Sequence, residues 1–587
     1  MGAVEQLAGA VSYNDQKVEI SRGELRELRR RAAYYQAQFE IRKRKTERLL
    51  DFCRKMKAEK KKLWRRLFGK KSEAKNNGES KREGKGGKRG KKPGTKGHGR
   101  KPVEGLPTTT EQIDLAEDEK KCPCCGLEFD EFPETSDQEI IEVDVKAHKR
   151  IVKRKRYKKA CSCPKVPSII SAPQVPQLIP KGKFGVSFWM FVLLQKFWFH
   201  KPLSRITKEL KSYGLAVSPG TIVGGFSRLE KLIQPLYRAI EIQNKSEHFW
   251  HADETRWLVF VKMDGKSSYR WYLWVFRSET TVFFKLAPTR GRSVVDEHFQ
   301  DSWGVLSVDR YASYKVLLST GRFLLAFCWA HVRRDFLEIE VGYAHLAEWC
   351  QIWVERIGEL YHINNARVAS AAGSVDFSKL QTELEQKIRA FKQHLDEEIE
   401  FYKDEVISAR RQVLESLRNH WHGLTLFVQF SWVPMDNNSG EQSLRGPVVA
   451  RKNYYGSGSL SSCRLTAQMH SILGTWDLWG LNAKILLEEY LNKCASNGGK
   501  APKNINAFLP WKMSKKQLQE LGAKSKRKPL SQITKEQIKC ATVDEVFRKK
   551  KSKSSDKSSA KPLNQNIADT FQRKSVKDSI GPGPPAV

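Results

Sequence analysis

Three acidic residues stand in three separate settings: Asp253 in His251-Ala-Asp-Glu-Thr-Arg-Trp257, Asp309 in Leu306-Ser-Val-Asp-Arg-Tyr-Ala-Ser-Tyr314, and Glu441 in Asp436-Asn-Asn-Ser-Gly-Glu-Gln-Ser-Leu-Arg445. Carboxylates from distant parts of a chain can converge on two divalent cations about 3.5–4 Å apart, which stabilise the attacking and leaving oxygens of an in-line displacement at phosphorus. Oxygen-only ligands select a hard cation, magnesium or, as a substitute, manganese. The intervals alone do not separate such a site from three solvated or ion-paired acids; the settings carry the argument. Glu254 directly follows Asp253, so on a strand its side chain points to the other face, which makes it the poorer candidate.

Two cysteine motifs suggest a second metal. Cys122-Pro-Cys-Cys-Gly126 holds a Cys-x-x-Cys knuckle with glycine behind it, a strong half of a tetrahedral zinc site, and Cys161-Ser-Cys163 is a weaker second half with one intervening residue. The expected structural zinc ligands are Cys122, Cys125, Cys161 and Cys163, with Cys124 as a competitor and buried free thiols as the alternative. In Cys328-Trp-Ala-His331 a zinc pair is conceivable, but two ligands fall short of a site. A packing and positioning role is favoured there, with Arg333 and Arg334 facing phosphates.

The elements that must position these groups are readable in outline. Phe249–Phe260, Tyr269–Ser278 and Thr281–Leu286 read as three strands, Ser293–Gln300 as a helix, and Gly304–Val308 and Phe323–Phe327 as two further strands. That order is the one expected of a ribonuclease-H-like α/β domain. Asp253 then lies on the first strand, Asp309 just past the fourth, and Glu441 at the start of a helix, with Arg445 one turn on and available to the carboxylate or to a substrate phosphate. Upstream, Pro202–Leu210, a Tyr-Gly turn and Ser218-Pro-Gly-Thr-Ile-Val223 form a helix-turn-helix pattern, placing Thr221 on the second, recognition helix. Leu28, Tyr35, Leu49, Met56 and Leu63 recur on one heptad position and Leu25, Ala32, Phe39 and Leu67 on its partner, which predicts a long helix and a short, imperfect coiled coil.

These windows resemble the DDE transposases of the insertion-sequence-66 family, and the resemblance runs from about Leu67 to Leu491. Arg66-Leu-Phe-Gly-Lys-Lys-Ser-Glu73, Arg451-Lys-Asn453 with Tyr455-Gly-Ser457, and the run from Ala467 to Trp476 are similar to further family blocks. The resemblance implies that Asp253, Asp309 and Glu441 are catalytic metal ligands. It also implies that the chain cleaves DNA at element ends and joins them to a target, with Arg333, Arg334, Arg445, Arg451 and Lys452 against DNA. One departure is Gln442, where the family usually has arginine.

The composition agrees with a polyanionic partner. The chain of 587 residues carries a formal net charge of +39, and two flanks hold most of it: residues 54–101 have 21 basic and 4 acidic side chains, residues 511–587 have 19 and 7. Such runs read as arms for a phosphate backbone, with solvated tails as the bland alternative. The expected organisation is multidomain: a helical coiled-coil region (1–70), a basic Gly/Lys-rich linker (71–120), a small zinc-binding β module (121–175), a helix-turn-helix-like region (176–246), an α/β ribonuclease-H-like core (247–340 and 429–495) interrupted by a helical insertion (341–428), and a basic, partly disordered tail (496–587). The expected partners are DNA, as terminal inverted repeats and target, a second copy of the chain on that DNA, and companion proteins of the element. Cysteine usage and the lack of a leader or membrane-spanning run predict a cytoplasmic, nucleoid-associated protein with no membrane partner. Two rivals are a DNA-binding regulator that has lost catalysis and a nuclease on the same fold that cleaves without joining.

Overall fold

Alternation of apolar side chains organises the centre of the chain. In the computed structural model, which describes residues 21–68, short stretches between 110 and 168, and 169–262, 268–403, 409–523 and 533–538, one sheet dominates. After a small exposed ladder of β1 (Arg156–Lys158) and β2 (Ile169–Ser171) come β3 (Phe249–Val259), β4 (Arg270–Arg277), β5 (Val282–Ala287), β6 (Gly304–Val308), β7 (Phe323–Phe327) and β8 (Gly456–Ser457). The large sheet runs β5-β4-β3-β6-β7, and β8 pairs with the far end of β3. Strands β3 to β5 are antiparallel hairpin neighbours, while β6 and β7 run parallel to β3. All five strands expected from the sequence are present, with ends shifted by a residue or two.

The period of two sorts each strand onto two faces. Trp250, Ala252, Leu306, Val308, Phe323, Leu325 and Phe327 enter the main core, whereas Phe249, Val305, Leu324 and Ala326 enter a second cluster with Leu426, Val433, Ile533 and Ile538. Since β6 and β7 are buried throughout, both of their faces must be covered, as parallel strands require. Strand β5 lies at the edge, where unpaired amides would invite another strand. Here Phe284 N–H donates to Ser471 Oγ (2.8 Å) and Val282 N–H to Thr475 Oγ1 (3.0 Å), so a helix seals the edge.

The helices are α1 (Arg22–Phe68), α2 (Val186–Leu193, continued by a π turn to Trp198), α3 (Leu203–Ser212), α4 (Pro219–Lys245), α5 (Ser293–His298), α6 (Ala312–Lys315), α7 (Trp329–Gly342), α8 (Ala347–Ala369), α9 (Val375–Phe401), α10 (Ala409–Asn419), α11 (Trp421–Leu424), α12 (Leu426–Gln429), α13 (Asn438–Tyr454), α14 (Leu460–Leu478), α15 (Ala483–Ser496) and α16 (Lys515–Glu520). Helix α14 supplies the seal of β5. In α4 the Ser218 cap accepts from Thr221 N–H, and Ile222, Phe226, Leu229, Ile233, Leu236 and Ile240 are buried, so most of this helix belongs to the core. Helix α1 spans about 70 Å at 1.5 Å per residue and exposes Leu28, Tyr35, Phe39, Leu49 and Met56 along its length.

Helices α8 to α12 do not form a separate body. Trp329, Trp353, Phe391 and Trp421 make one aromatic cluster, Trp329 Nε1–H donates to Leu424 O (2.6 Å), and the buried Arg367 donates to Phe427 O and Val428 O. Within the region expected as a basic, partly disordered tail after residue 496, Phe508, Leu509, Met513 and Leu518 are buried, as are Ile533 and Ile538. These scattered apolar anchors lie in a basic background that hides them in composition. By its contacts the chain divides into two compact units, residues 68–148 and the remainder.

Gly456 sets β8 against β3 so closely that a Cβ there would meet Leu258 O at 1.9 Å. Gly456→Ala must push β8 off β3, and a loss of about 1–3 kcal/mol is expected from such overpacking. Urea unfolding of the two proteins checks this; equal midpoints would mean that the pairing is not needed.

Candidate active site

Asp253 lies on β3 and Asp309 directly follows β6, both in phase with the sheet face that carries Phe249, Val305 and Ala326. Cys328 continues that face beyond β7. The third carboxylate comes from the first turn of α13, and one buried asparagine docks that turn. Asn437 Nδ2–H donates to Ala252 O (2.8 Å), its Oδ1 accepts from His251 Nδ1 (2.9 Å), and its backbone N–H donates to Cys328 Sγ (3.2 Å). Trp329 N–H to Met435 O (2.9 Å), Ser307 Oγ–H to Asp436 O (3.4 Å) and Arg277 Nη1–H to Ser439 O (2.9 Å) complete the seam. Asn437 and His251 were not singled out in the sequence. The signal was an asparagine before the glutamate helix and a histidine two residues before Asp253, ambiguous until burial is known. Burial pushes the His251 pKa down to about 4, so the imidazole is neutral, and the Asn437 carbonyl fixes the proton on Nδ1.

The electrostatics separate the adjacent acids on β3. Burial pushes Asp253 up to about 8, with Glu254, Asp309 and Glu441 each adding repulsion, while the Glu254 N–H bond to its Oδ1 (2.8 Å) opposes the rise. Glu254 faces the other way, where Arg290 Nε–H (2.7 Å) and Tyr314 O–H (2.6 Å) both donate to it; burial still raises its pKa. Asp309 Oδ1 accepts from Tyr311 N–H (3.0 Å). Glu441 has basic neighbours from α7, His331 Nε2 at 3.7 Å and Arg334 at 3.9 Å, and its Oε1 is shut from solvent without a hydrogen-bond partner. Burial lowers the His331 pKa, with Arg334 assisting. A divalent cation would relieve the repulsion on the buried Asp253 and could use the unpartnered Glu441 Oε1, although Asp253, Asp309 and Glu441 do not themselves bring three ligand atoms within 4.8 Å of one another. Among the described residues one group of possible ligands has all its donor atoms within 4.8 Å, namely Cys328, His331 and Glu441.

The remaining candidates divide. Arg333, Arg445 and Lys452 are exposed, and so is Gln442. Arg451 is partly spent on β3, donating to Thr255 Oγ1 (3.1 Å) and Arg256 O (2.8 Å). Thr221 is exposed on the first turn of α4, its hydroxyl 2.9 Å from Ser218 Oγ. Cys122, Cys161 and Cys163 lie outside the described residues. Cys124 and Cys125 are exposed, and Gly126 behind them has φ +74.

Comparison with known proteins gives a family and three relatives. The family model described as "Transposase IS66 family" matches residues 181–464. In Sinorhizobium fredii (strain NBRC 101917 / NGR234), uncharacterized protein y4jD is 24% identical over 414 residues, 67% of this chain and 78% of that protein. Uncharacterized proteins y4qI and y4hP of the same organism are 23% and 22% identical, covering 70% and 66% of this chain and 77% and 73% of their own lengths.

With its pKa raised above the unfolded value of about 3.9, Asp253 takes a proton in the folded state more readily than in the unfolded one. Its contribution to stability therefore falls as pH rises from about 4 to about 8, by at most about 1.4 kcal/mol per pH unit. In chelator, Asp253→Asn should gain on the native protein across that window and level off above it. Thermal unfolding at pH 5, 6.5 and 8 measures the gap; one that stays constant would show that Asp253 is not held protonated.

Proposed function

Through residues 181–464 the chain belongs to the IS66 transposase family, and from that premise we propose that it is a DNA transposase with Asp253, Asp309 and Glu441 as catalytic carboxylates. The observation that carries this reading is that Asp253 and Asp309 lie in phase on one sheet face, with the Glu441 helix docked to that face through Asn437. The sheet order β5-β4-β3-β6-β7, with β3 to β5 antiparallel and the last two strands parallel to β3, supports a ribonuclease-H-like core. Magnesium or manganese bound by these carboxylates would supply Lewis-acid stabilisation of the phosphodiester and a more acidic nucleophile.

The protein's own part is positioning. Asp253 must give up its proton to act as a ligand, which its neighbours resist until a cation arrives. Arg334 and His331 flank Glu441, and the Asn437 seam holds its helix to the strand ends. Exposed Arg333, Arg445 and Lys452 are placed to meet phosphates, and Arg451, bonded to β3, steadies α13. Water then cleaves a phosphodiester at the element end, releasing a 3′-hydroxyl; that hydroxyl attacks a target phosphodiester and displaces its 3′ oxygen. Gln442 is exposed and gives the regulator reading no support from the site.

The flanking parts carry the rest of the reading. The cysteines Cys122, Cys125, Cys161 and Cys163 hold zinc, and the left-handed turn at Gly126 suits the first knuckle. The exposed apolar residues of α1 form the seam to a second copy, and the exposed start of α4 with Thr221 reads element-end DNA. The protein works in the cytoplasm on nucleoid DNA, with companion proteins of the element; no described helix is long and apolar enough to cross a membrane.

Asp253→Asn, Asp309→Asn and Glu441→Gln should each abolish cleavage and joining of end duplexes, by three orders of magnitude or more, while binding to those duplexes persists. Glu254→Gln should retain partial activity, since it holds Arg290 and Tyr314 on the other face. Native rates in any triad variant would remove that residue from the site.

If the basic run 54–101 neutralises phosphates, deleting residues 69–101 should flatten the salt dependence of duplex binding, each lost contact removing a slope of about 0.9 in log affinity against log salt. Thr221→Ala should instead reduce discrimination between end and random duplexes at unchanged slope. Titrations on both duplexes decide; an unaltered slope after the deletion would leave the run a spacer.

A further inference from the structure

Cys328, His331 and Glu441 reach one place from the end of β7, the first turn of α7 and the first turn of α13. His331 Nε2 lies 3.7 Å from Glu441 Oε1, too far for a hydrogen bond. It is close to the separation of about 3.4 Å that two ligands take on one tetrahedral ion with bonds of about 2.0–2.2 Å. His331 Nδ1 and Glu441 Oε1 are both shut from solvent without hydrogen-bond partners. Arg334 approaches the other carboxylate oxygen, Oε2, which leaves Oε1 to face the histidine. Cys328 Sγ accepts the Asn437 N–H (3.2 Å), the kind of outer bond that supports a metal-bound thiolate.

We infer that Cys328, His331 and Glu441 form a binding site for a thiophilic divalent cation, with zinc as the ion whose chemistry fits best and one coordination position left to solvent. Thiolate and imidazole ligands select zinc over magnesium, while the carboxylates Asp253 and Asp309 prefer the harder ion. The site is thus distinct in chemistry from the magnesium site but shares Glu441 with it. On the proposed transposase reading, zinc occupancy withdraws Glu441 from Asp253 and Asp309 and so inhibits strand cleavage. The binding claim itself does not rest on that reading.

The test is cobalt(II) and zinc binding to the full chain, which counts metal independently of any DNA reaction. Cys328→Ser and His331→Ala should each lose one equivalent of tightly bound metal, and Cys328→Ser should lose one sulfur-to-cobalt charge-transfer contribution. Glu441→Gln should weaken that equivalent about tenfold or more. Cys350→Ser, a buried thiol elsewhere in the core, should change nothing, and circular dichroism establishes that each variant is folded. The same metal count and cobalt spectrum in folded Cys328→Ser and His331→Ala would overturn the site. Zinc inhibition of magnesium-dependent cleavage, present in the native chain and relieved in Cys328→Ser, reports the shared glutamate. A chain that cleaves nothing yet shows the variant-dependent loss of metal would refute the transposase reading and leave the zinc site standing.

Discussion

The arrangement of the candidate site depends on one buried amide. Asn437 is 1% exposed and uses its carboxamide oxygen and carboxamide N–H on His251 and Ala252 of β3 and its backbone N–H on Cys328 beyond β7. A polar group left unmatched at that depth costs about 1–3 kcal/mol, so each of the three bonds favours the docked turn. Together with the Met435, Asp436 and Ser439 carbonyl bonds they fix the start of α13 against the first residues of β3 and the end of β7. Glu441 lies four residues beyond Asn437, within the first helical turn, and inherits its position from this clamp.

The long interval between Cys328 and Asn437 makes that clamp a demanding one. Helices α8 to α12 fill it, and they return to where they began because they pack on the same strands they left. Gly423 sits so close to β7 that a Cβ would meet Leu325 O at 2.4 Å, and Arg367 fastens α8 to the carbonyls of Phe427 and Val428 just before the turn that leads to Asn437. The insertion is therefore the brace that delivers Glu441. A change in its packing would be felt at the carboxylates without touching them.

Much of this was legible in the sequence and some could not be. Alternation in Phe249–Phe260 and the unbroken apolar runs at Gly304–Val308 and Phe323–Phe327 set the strands, and the period of two set which face Asp253 and Glu254 would take. The pairing of β8 with β3 was not legible, because two residues after a helix show no period; it rests on Gly456 permitting close approach. Helix α14 is buried on all sides, so its sequence shows burial but not that Ser471 and Thr475 seal an edge strand. Cys328 and His331 looked two ligands short of a site because the residue that joins them is 110 positions further along. Such convergence is a property of the folded chain, not of a motif.

Adjacent carboxylates on β3 show how the fold assigns chemistry. Glu254 is buried but answered, with a guanidinium and a phenol both bonded to it, and its charge is spent within the protein. Asp253 is buried, accepts a backbone N–H from the next residue, and is repelled by Glu254, Asp309 and Glu441. A protein that kept both carboxylates for stability would have given Asp253 a cation of its own. The Arg334 guanidinium and the His331 imidazole of α7 attend Glu441 instead. On the proposed transposase reading, a divalent cation bringing a phosphodiester would supply the positive charge that Asp253 lacks and so draw off its proton.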